Sequence, residues 1–174
     1  MFKSDPLDLI FGRRSIRVFK PGKIGQETLE VLLQSAMAAP SACAKDPWHF
    51  IVVQSLETLG LLADALPNGQ MLSSAAAGIV VCGDLQEAHD HQLSYMLQDC
   101  SAATENLLLA AHALGLGGCW LGIHPRTDRI QKVTAILGLP AHIIPVSCAA
   151  LGLPGETKEP RTRYQAAQVH REKW

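Results

Sequence analysis

Three arginines and a serine lie within five residues near the start of the chain, in the stretch Arg13-Arg14-Ser15-Ile16-Arg17. A guanidinium is a planar fork of N–H donors that stays charged at physiological pH and matches the geometry of a phosphate. The hydroxyl of Ser15 adds a further polar group to such a site. The stretch therefore indicates either an anion clamp or a basic loop between a helix and a strand, and taken alone it leaves both interpretations open.

A second arginine pair, Arg161 and Arg163, lies near the other end of the chain and favours the anion clamp. Two clusters that are distant in sequence can converge on one small anion. The whole chain carries 15 Lys and Arg against 16 Asp and Glu, a formal net charge of -1. Because non-specific nucleic-acid binding depends on excess positive charge, this balance argues against a nucleic-acid partner.

The other residues that could bind a metal or react covalently form no convincing site. His89 and His91 lack a third ligand at a matching spacing, so we interpret them as surface polar residues and predict no metal. The cysteines are odd in number and show neither zinc nor dithiol spacing, which is typical of buried free thiols in a reducing compartment. They are Cys43, Cys82, Cys100, Cys119 and Cys148.

Length and composition predict a single domain with a substantial core, since the chain has 174 residues and is 48% hydrophobic and 18% charged. The N-terminus lacks the basic region and apolar run of a signal peptide. No apolar stretch approaches the ~20 residues of a membrane span. We therefore expect a cytoplasmic protein that makes no use of a membrane.

Apolar spacing predicts helices interleaved with strands, and hence a sheet sandwiched by helices. A short helix should begin at Ser4-Asp5-Pro6 and end at Gly12, and Gly115 to Gly118 should end a later helix rather than bind a dinucleotide. Beyond residue 152 the chain turns polar, so we expect a tail that lies along something else. The main predicted helices cover 26–37, 55–66, 99–114 and 127–137, and the strands cover 48–53, 77–83, 119–123 and 143–150.

Three stretches in this order resemble the FMN-dependent nitroreductase family: RRSIRVF at 13–19, APSACAKDPWHFIVV at 39–53 and GLPGETKEPRTR at 152–163. The stretch LLAAHALGLGGCWLGI at 108–123 matches that family's central helix and following strand, so the resemblance covers nearly the whole chain. It implies an α+β fold, with a mixed sheet between helices, in one domain over 1–174. It also implies a homodimer in which residues 153–174 reach across the partner, with one FMN in each of two interface clefts.

The resemblance also implies the residues that bind FMN. The phosphate, the ribityl chain and the pyrimidine edge would be held by Arg13, Arg14, Ser15 and Arg17, with Arg161 and Arg163 closing on the phosphate. The partner subunit would pack Pro40, Ser41 and Ala42 on the isoalloxazine, and backbone N–H groups would reach the flavin edge from Leu121, Gly122 and Ile123. Gln70, or alternatively Asn68, would provide a polar side chain at the pyrimidine end.

The implied activity is a ping-pong reduction in which NAD(P)H reduces the flavin and a nitroaromatic or quinone reoxidises it. No side chain is expected to act as a catalytic acid or base; Tyr95 and Met96 either line the open face or are ordinary helix residues. The alternatives are a specialised flavoenzyme with its own substrate and a flavin-binding sensor without turnover. Two positions depart from the family pattern, Ala44 in place of Asn and Asp46 in place of Gln, and both bear on substrate preference.

Overall fold

A five-stranded sheet forms the centre of the computed structural model, which describes residues 7–174. The predicted start of the first helix, Ser4-Asp5-Pro6, lies outside the described residues. The third strand is buried along its whole length, as its uninterrupted apolar sequence predicts. The strands are β1 (Phe19–Lys20), β2 (Trp48–Val53), β3 (Ala77–Asp84), β4 (Gly117–Gly122) and β5 (Ile143–Pro154).

The strands of this sheet pair in antiparallel fashion. β3 lies between β2 and β5, β4 pairs with β5, and β1 pairs with the last two residues of β5. Within residues 7–174 the parallel component of the sheet is a single bridge between Ser15 and Gly118. The predicted α+β class is confirmed, and the mixed character of the sheet rests on this bridge.

Helices cover both faces of the sheet. Helices α2 and α4 pack with Ile79 and Val81 of β3, whereas α3 and α5 pack with Val80 of β3 and Cys148 of β5. Alternate residues of β3 thus face the two apolar clusters, which confirms the predicted sandwich. The helices are α1 (Asp8–Gly12), α2 (Gln26–Met37), α3 (Leu56–Ala65), α4 (Leu93–Ala113) and α5 (Thr127–Leu137).

The central helix α4 is longer than the sequence analysis predicted, because it begins at Leu93 instead of Asp99. Its added turns contain Met96, which is fully buried. Met96 packs over Gly83 of β3, where a Cβ would lie 2.4 Å from its Cγ. Strand β5 also continues to Pro154, four residues past the predicted end, because β4 and β1 both pair with it there.

The segment after Pro154 is largely exposed and has little regular structure, apart from the short 3-10 turn Ala166–Gln168. Its predicted reach across a partner subunit stays a prediction, as does the single-domain assignment. Among the helices of the described chain, none has the length and apolar character that crossing a membrane requires.

Candidate functional site

The arginine segment leaves α1 at Gly12 and runs beside the start of β4. The N–H of Ile16 donates to the carbonyl of Gly118 at 3.0 Å. Gly117 makes this approach feasible, because a Cβ there would lie 2.8 Å from Ile16 Cγ2. Of the glycines predicted to end helix α4, Gly115 lies at the end of the helix and adopts φ +74. Gly117 and Gly118 belong instead to β4, where they contact Ile16 of the arginine segment.

An open cleft of about 370 Å³ lies next to this segment and gathers several of the predicted cofactor residues. Arg17 enters it from the arginine segment, and β4 contributes Leu121 and Gly122. Gln70 lines it too, as does Asn68, the alternative at the same end. The structure therefore brings together residues that are widely separated in the sequence.

A second cavity, of about 260 Å³, contains the other two arginines of the segment together with Lys158. Arg13 Nε donates to Glu105 Oε1 at 3.1 Å, so one of its donors is in use. Arg14 Nε is buried and has no hydrogen-bond partner. A buried charged donor without an acceptor is costly, so this cavity is suited to an anion.

Two of the predicted flavin contacts have internal partners as well. The N–H of Ile123 donates to the carbonyl of Val146 at 3.1 Å, and its side chain is fully buried. Gln70 Nε2 donates to the carbonyl of Ala63 at 3.4 Å. Leu121 and Gly122 line the cleft, whereas Ile123 does not line it. The first two residues are therefore better placed to face a ligand.

The segment Pro40-Ser41-Ala42 does not line the cleft within its own chain. The Ser41 hydroxyl donates to Asp46 Oδ1, and the N–H of Ala42 donates to Asp99 Oδ1 at 2.9 Å. Asp99 lies on α4, so this helix anchors the segment. Its contribution to a partner's cleft stays a prediction.

Arg161 and Arg163 are exposed, and the structure describes no hydrogen bond or ion pair for either of them. They do not line the cavity of Arg13 and Arg14. Their convergence on the same anion stays a prediction.

Three residues that the sequence analysis did not single out contribute to the site. Glu156 Oε1 accepts hydrogen bonds from the N–H groups of Arg17 and Val18, and Lys158 Nζ donates to the carbonyl of Ser15 at 2.8 Å. Arg129 lines the cleft and donates to the carbonyl of Gly122 at 2.9 Å. The only signal for the first two was their place in the stretch that matches the family, because residue type does not reveal a bond to backbone.

The structure also places the histidines and cysteines that the sequence analysis discussed. No group of three or more potential metal ligands occurs within residues 7–174. The prediction that all the cysteines are buried is wrong for Cys43, which is exposed and lies 3.6 Å from His89 Nε2. Met96 is fully buried, so it lines no open face, whereas Tyr95 is partly exposed and packs against His89.

The other four thiols are buried. Burial raises the pKa of Cys82, Cys100 and Cys148 to about 12. Burial also raises the pKa of Cys119, at the cleft, although the nearby Arg17 and Lys158 oppose the shift. These thiols are therefore neutral at physiological pH.

The fold is that of a small α+β protein, with Arg17 and Arg129 in an open cleft and Arg13, Arg14 and Lys158 around a neighbouring cavity. Comparison with known proteins identifies the type. The model of the nitroreductase family matches residues 10–78 and 58–153, and the chain belongs to that family.

Close relatives span nearly the whole chain. A protein from Archaeoglobus fulgidus that bears the name NADH dehydrogenase/NAD(P)H nitroreductase is 45% identical and covers 97% of this chain and 98% of its own. A solved structure of the same name from Parabacteroides distasonis is 38% identical, with a TM-score of 0.91, and covers 97% and 98% of the two chains. A nitroreductase from Desulfovibrio desulfuricans, solved in complex with FMN, is 27% identical, with a TM-score of 0.84, and covers 99% of both.

Proposed function

We propose that the protein is an FMN-dependent oxidoreductase that takes electrons from NAD(P)H and delivers them to a nitroaromatic or quinone-type acceptor. The observation that carries this proposal is the grouping of Arg13, Arg14 and Lys158 around one cavity beside the cleft, with Arg14 Nε buried and without a partner. The phosphate of FMN would supply the acceptor that this donor lacks. The name of the A. fulgidus relative and the FMN bound by the D. desulfuricans structure support the same conclusion.

The residues present suit FMN. Arg13 and Arg14 would hold the phosphate, with Ser15 beside them at the ribityl chain. Arg17 and Gln70, which line the cleft, would hold the pyrimidine end, and the backbone of Leu121 and Gly122 would face the ring. When bound, FMN supplies the two-electron chemistry that links nicotinamide oxidation to acceptor reduction.

The chain itself binds and orients the cofactor. The cleft is open, so NAD(P)H and the acceptor would occupy the same face in turn. Cys119 at the cleft stays protonated because burial raises its pKa, so it offers no thiolate that would compete for the acceptor. We assign no catalytic acid or base.

Arg161 and Arg163 are proposed to close on the phosphate from the same chain. Lys158 is bonded to the carbonyl of Ser15, and Arg161 follows three residues later. An extended chain spans at most about 3.6 Å per residue, so the Cα of Arg161 lies within roughly 11 Å of that of Lys158. The arginine pair is thus tethered close to the predicted phosphate site.

The active form is proposed to be a homodimer. Apolar side chains of α1 are exposed, among them Ile10 at 56% and Phe11 at 47%, and Trp174 at the end of the tail is fully exposed. Burial of such side chains against a second copy is favourable. In that assembly Pro40, Ser41 and Ala42 would pack on the partner's flavin, and residues 153–174 would lie along the partner's surface.

Anaerobic stopped-flow mixing of the yellow holoprotein with NADH or with NADPH tests the activity. Rapid bleaching of the flavin absorbance, followed by its return when a quinone or nitroaromatic is added, is the expected result. A protein that binds FMN but is not bleached by either nucleotide would contradict the proposal and favour a flavin-binding protein without turnover.

A further inference from the structure

Two segments that are far apart in the sequence lie side by side at the edge of the candidate site. Glu156 Oε1 accepts from the N–H of Arg17 at 2.6 Å and from the N–H of Val18 at 3.3 Å. The N–H of Gly155 donates to the carbonyl of Val18 at 2.7 Å. Lys158 Nζ completes the set, since it lies 3.1 Å from Glu156 Oε1 and donates to the carbonyl of Ser15.

These contacts are directed at backbone groups that no strand satisfies. β1 begins only at Phe19, so the N–H groups of Arg17 and Val18 precede the ladder and find their acceptor in Glu156. A hydrogen bond to a carboxylate is stronger than one between neutral groups. The hydrogen bond from the N–H of Arg17 lowers the pKa of Glu156, and Lys158 lowers it further, so the carboxylate is ionised at physiological pH.

The packing is close as well as polar. A Cβ at Gly155 would lie 3.0 Å from Val18 Cγ1 and 3.1 Å from the carbonyl oxygen of Val18. The side chains of Glu156 and Lys158 are mostly covered, with exposed fractions of 26% and 32%. An exposed ion pair contributes little to stability. The pair of Glu156 and Lys158 differs from such a pair because it is mostly covered and also bonds to the backbone.

The segment held in this way is the one that presents Arg17 to the cleft. Arg17 lines that cleft together with Gln70 and Gly122. A site must hold its binding groups within about half an ångström, and the groups that support them set this precision. Glu156 does not line this cleft, but it does line the neighbouring cavity of Arg13 and Arg14, where its negative charge would oppose an anion. A favourable effect of Glu156 on flavin binding would therefore be indirect, through Arg17.

We propose that Glu156 is a positioning residue for the flavin: assisted by Lys158, it fixes the backbone of Arg17 so that the guanidinium meets the cofactor. The proposal rests on the function proposed above. Arg161 and Arg163 follow Lys158 by three and five residues. The contacts of Glu156 and Lys158 therefore also set where the tail leaves the body of the protein, and these contacts couple the two basic clusters to one another.

The test is a double-mutant cycle on the affinity of the apoprotein for FMN, measured by quenching of flavin fluorescence. Glu156→Gln should raise the Kd about tenfold. The control is Glu159→Gln, which should change the Kd less than twofold, because Glu159 is exposed and the structure describes no hydrogen bond or ion pair for it. In an Arg17→Met background, Glu156→Gln should add less than twofold, because its effect is exerted through the lost guanidinium. A merely structural role would give the full tenfold effect in both backgrounds.

Lys158→Met provides a second variant, because it leaves the carboxylate in place and removes the bond to Ser15. Since Lys158 also lines the cavity of Arg13 and Arg14, this variant too is measured with and without Arg17→Met, which separates a direct effect on the phosphate from one exerted through Arg17. It should raise the Kd about threefold, with the apoprotein still folded by circular dichroism. An unchanged Kd in both Glu156→Gln and Lys158→Met, or an undiminished effect in the Arg17→Met background, would overturn the proposal. Failure of the unmodified protein to bind FMN would instead overturn the proposed function.

Discussion

Asp99 Oδ1 accepts a hydrogen bond from the N–H of Ala42 at 2.9 Å, while its Oδ2 is buried without a partner. The side chain is only 5% exposed, so α4 places an almost fully buried carboxylate beneath the segment predicted to cover the partner's flavin. Oδ1 thus anchors the segment Pro40-Ser41-Ala42 through its hydrogen bond, whereas burial of Oδ2 without a partner is unfavourable.

Replacement of Asp99 by Ala should therefore destabilise the protein by about 1–3 kcal/mol, because the N–H of Ala42 loses its acceptor. Asp99→Asn keeps a carbonyl oxygen for that N–H and should cost less. Urea unfolding compares the two variants, with Gln98→Ala as a control on the exposed side of the same helix. A midpoint for Asp99→Ala equal to that of the unmodified protein would show that the bond contributes nothing.

The double variant Arg14→Ala/Arg163→Ala should lose FMN. A charge-assisted hydrogen bond contributes roughly 1.5–3 kcal/mol, so the loss of two contacts weakens binding about a hundredfold or more. The protein should then purify colourless, as judged by its flavin absorbance. Arg171→Ala, in the exposed tail, is the matched control, and stoichiometric flavin in the double variant would refute the convergence of the two clusters.

Much of this arrangement was predictable where residue type and spacing carry the signal. The start of the helix Gln26–Met37 and both bounds of the strand Trp48–Val53 were predicted as observed, because their apolar residues follow a clear helical or extended pattern. The first turns of α4 were missed because Met96 is the one fully buried residue in a polar stretch, and its partner is a glycine in another element.

The arginine segment and its neighbours show the same division. Charge and spacing identified Arg17, but its N–H meets Glu156 across 139 residues. A contact to backbone leaves no trace in the identity of its partner, so the roles of Glu156 and Lys158 emerge only from the fold. The exposed Cys43 was missed for a related reason, since it adopts φ 52 and lies in a turn rather than in the apolar run that its neighbours suggest.

A folded, flavin-loaded monomer should not exist, because each cleft is proposed to need Pro40, Ser41 and Ala42 from the partner. For such a protein the stability of the subunit and its association are linked. Light scattering of the yellow protein through a dilution series should show a dimer that loses colour as it dissociates. A monomer that keeps its flavin would contradict both the shared cleft and the role of the tail.

The stability of the protein should fall steeply in alkali. Cys82, Cys100 and Cys148 ionise near pH 9 when unfolded, but burial raises their pKa to about 12 in the fold. Between these values the unfolded state binds fewer protons than the folded state, so each thiol lowers the free energy of unfolding by about 1.4 kcal/mol per pH unit.

The alkaline slope can be assigned by substitution. Urea unfolding from pH 8 to pH 11 should show a shallower decline for Cys148→Ala than for the unmodified protein. Equal slopes in the two proteins would show that the buried thiols do not titrate in this way.

Asp46 is the departure from the family pattern that should affect the flavin's redox potential, and the structure limits the size of that effect. Its carboxylate is exposed and accepts from the Ser41 hydroxyl, next to the segment predicted to face the partner's ring. At about 8 Å and an effective dielectric of about 20, its repulsion of a reduced, more negative flavin is roughly 2 kcal/mol, or about 45 mV for a two-electron couple. Exposure and salt reduce this value further.

The suitable variant is Asp46→Asn, because Asp46 adopts φ 50, which Asn tolerates, and the amide oxygen can still accept from Ser41. We therefore expect Asp46→Asn to raise the midpoint potential by up to about 45 mV in spectroelectrochemical titration, with less effect at high salt and with FMN affinity little changed. A potential that is the same in both proteins at low salt would place the carboxylate beyond the reach of the flavin.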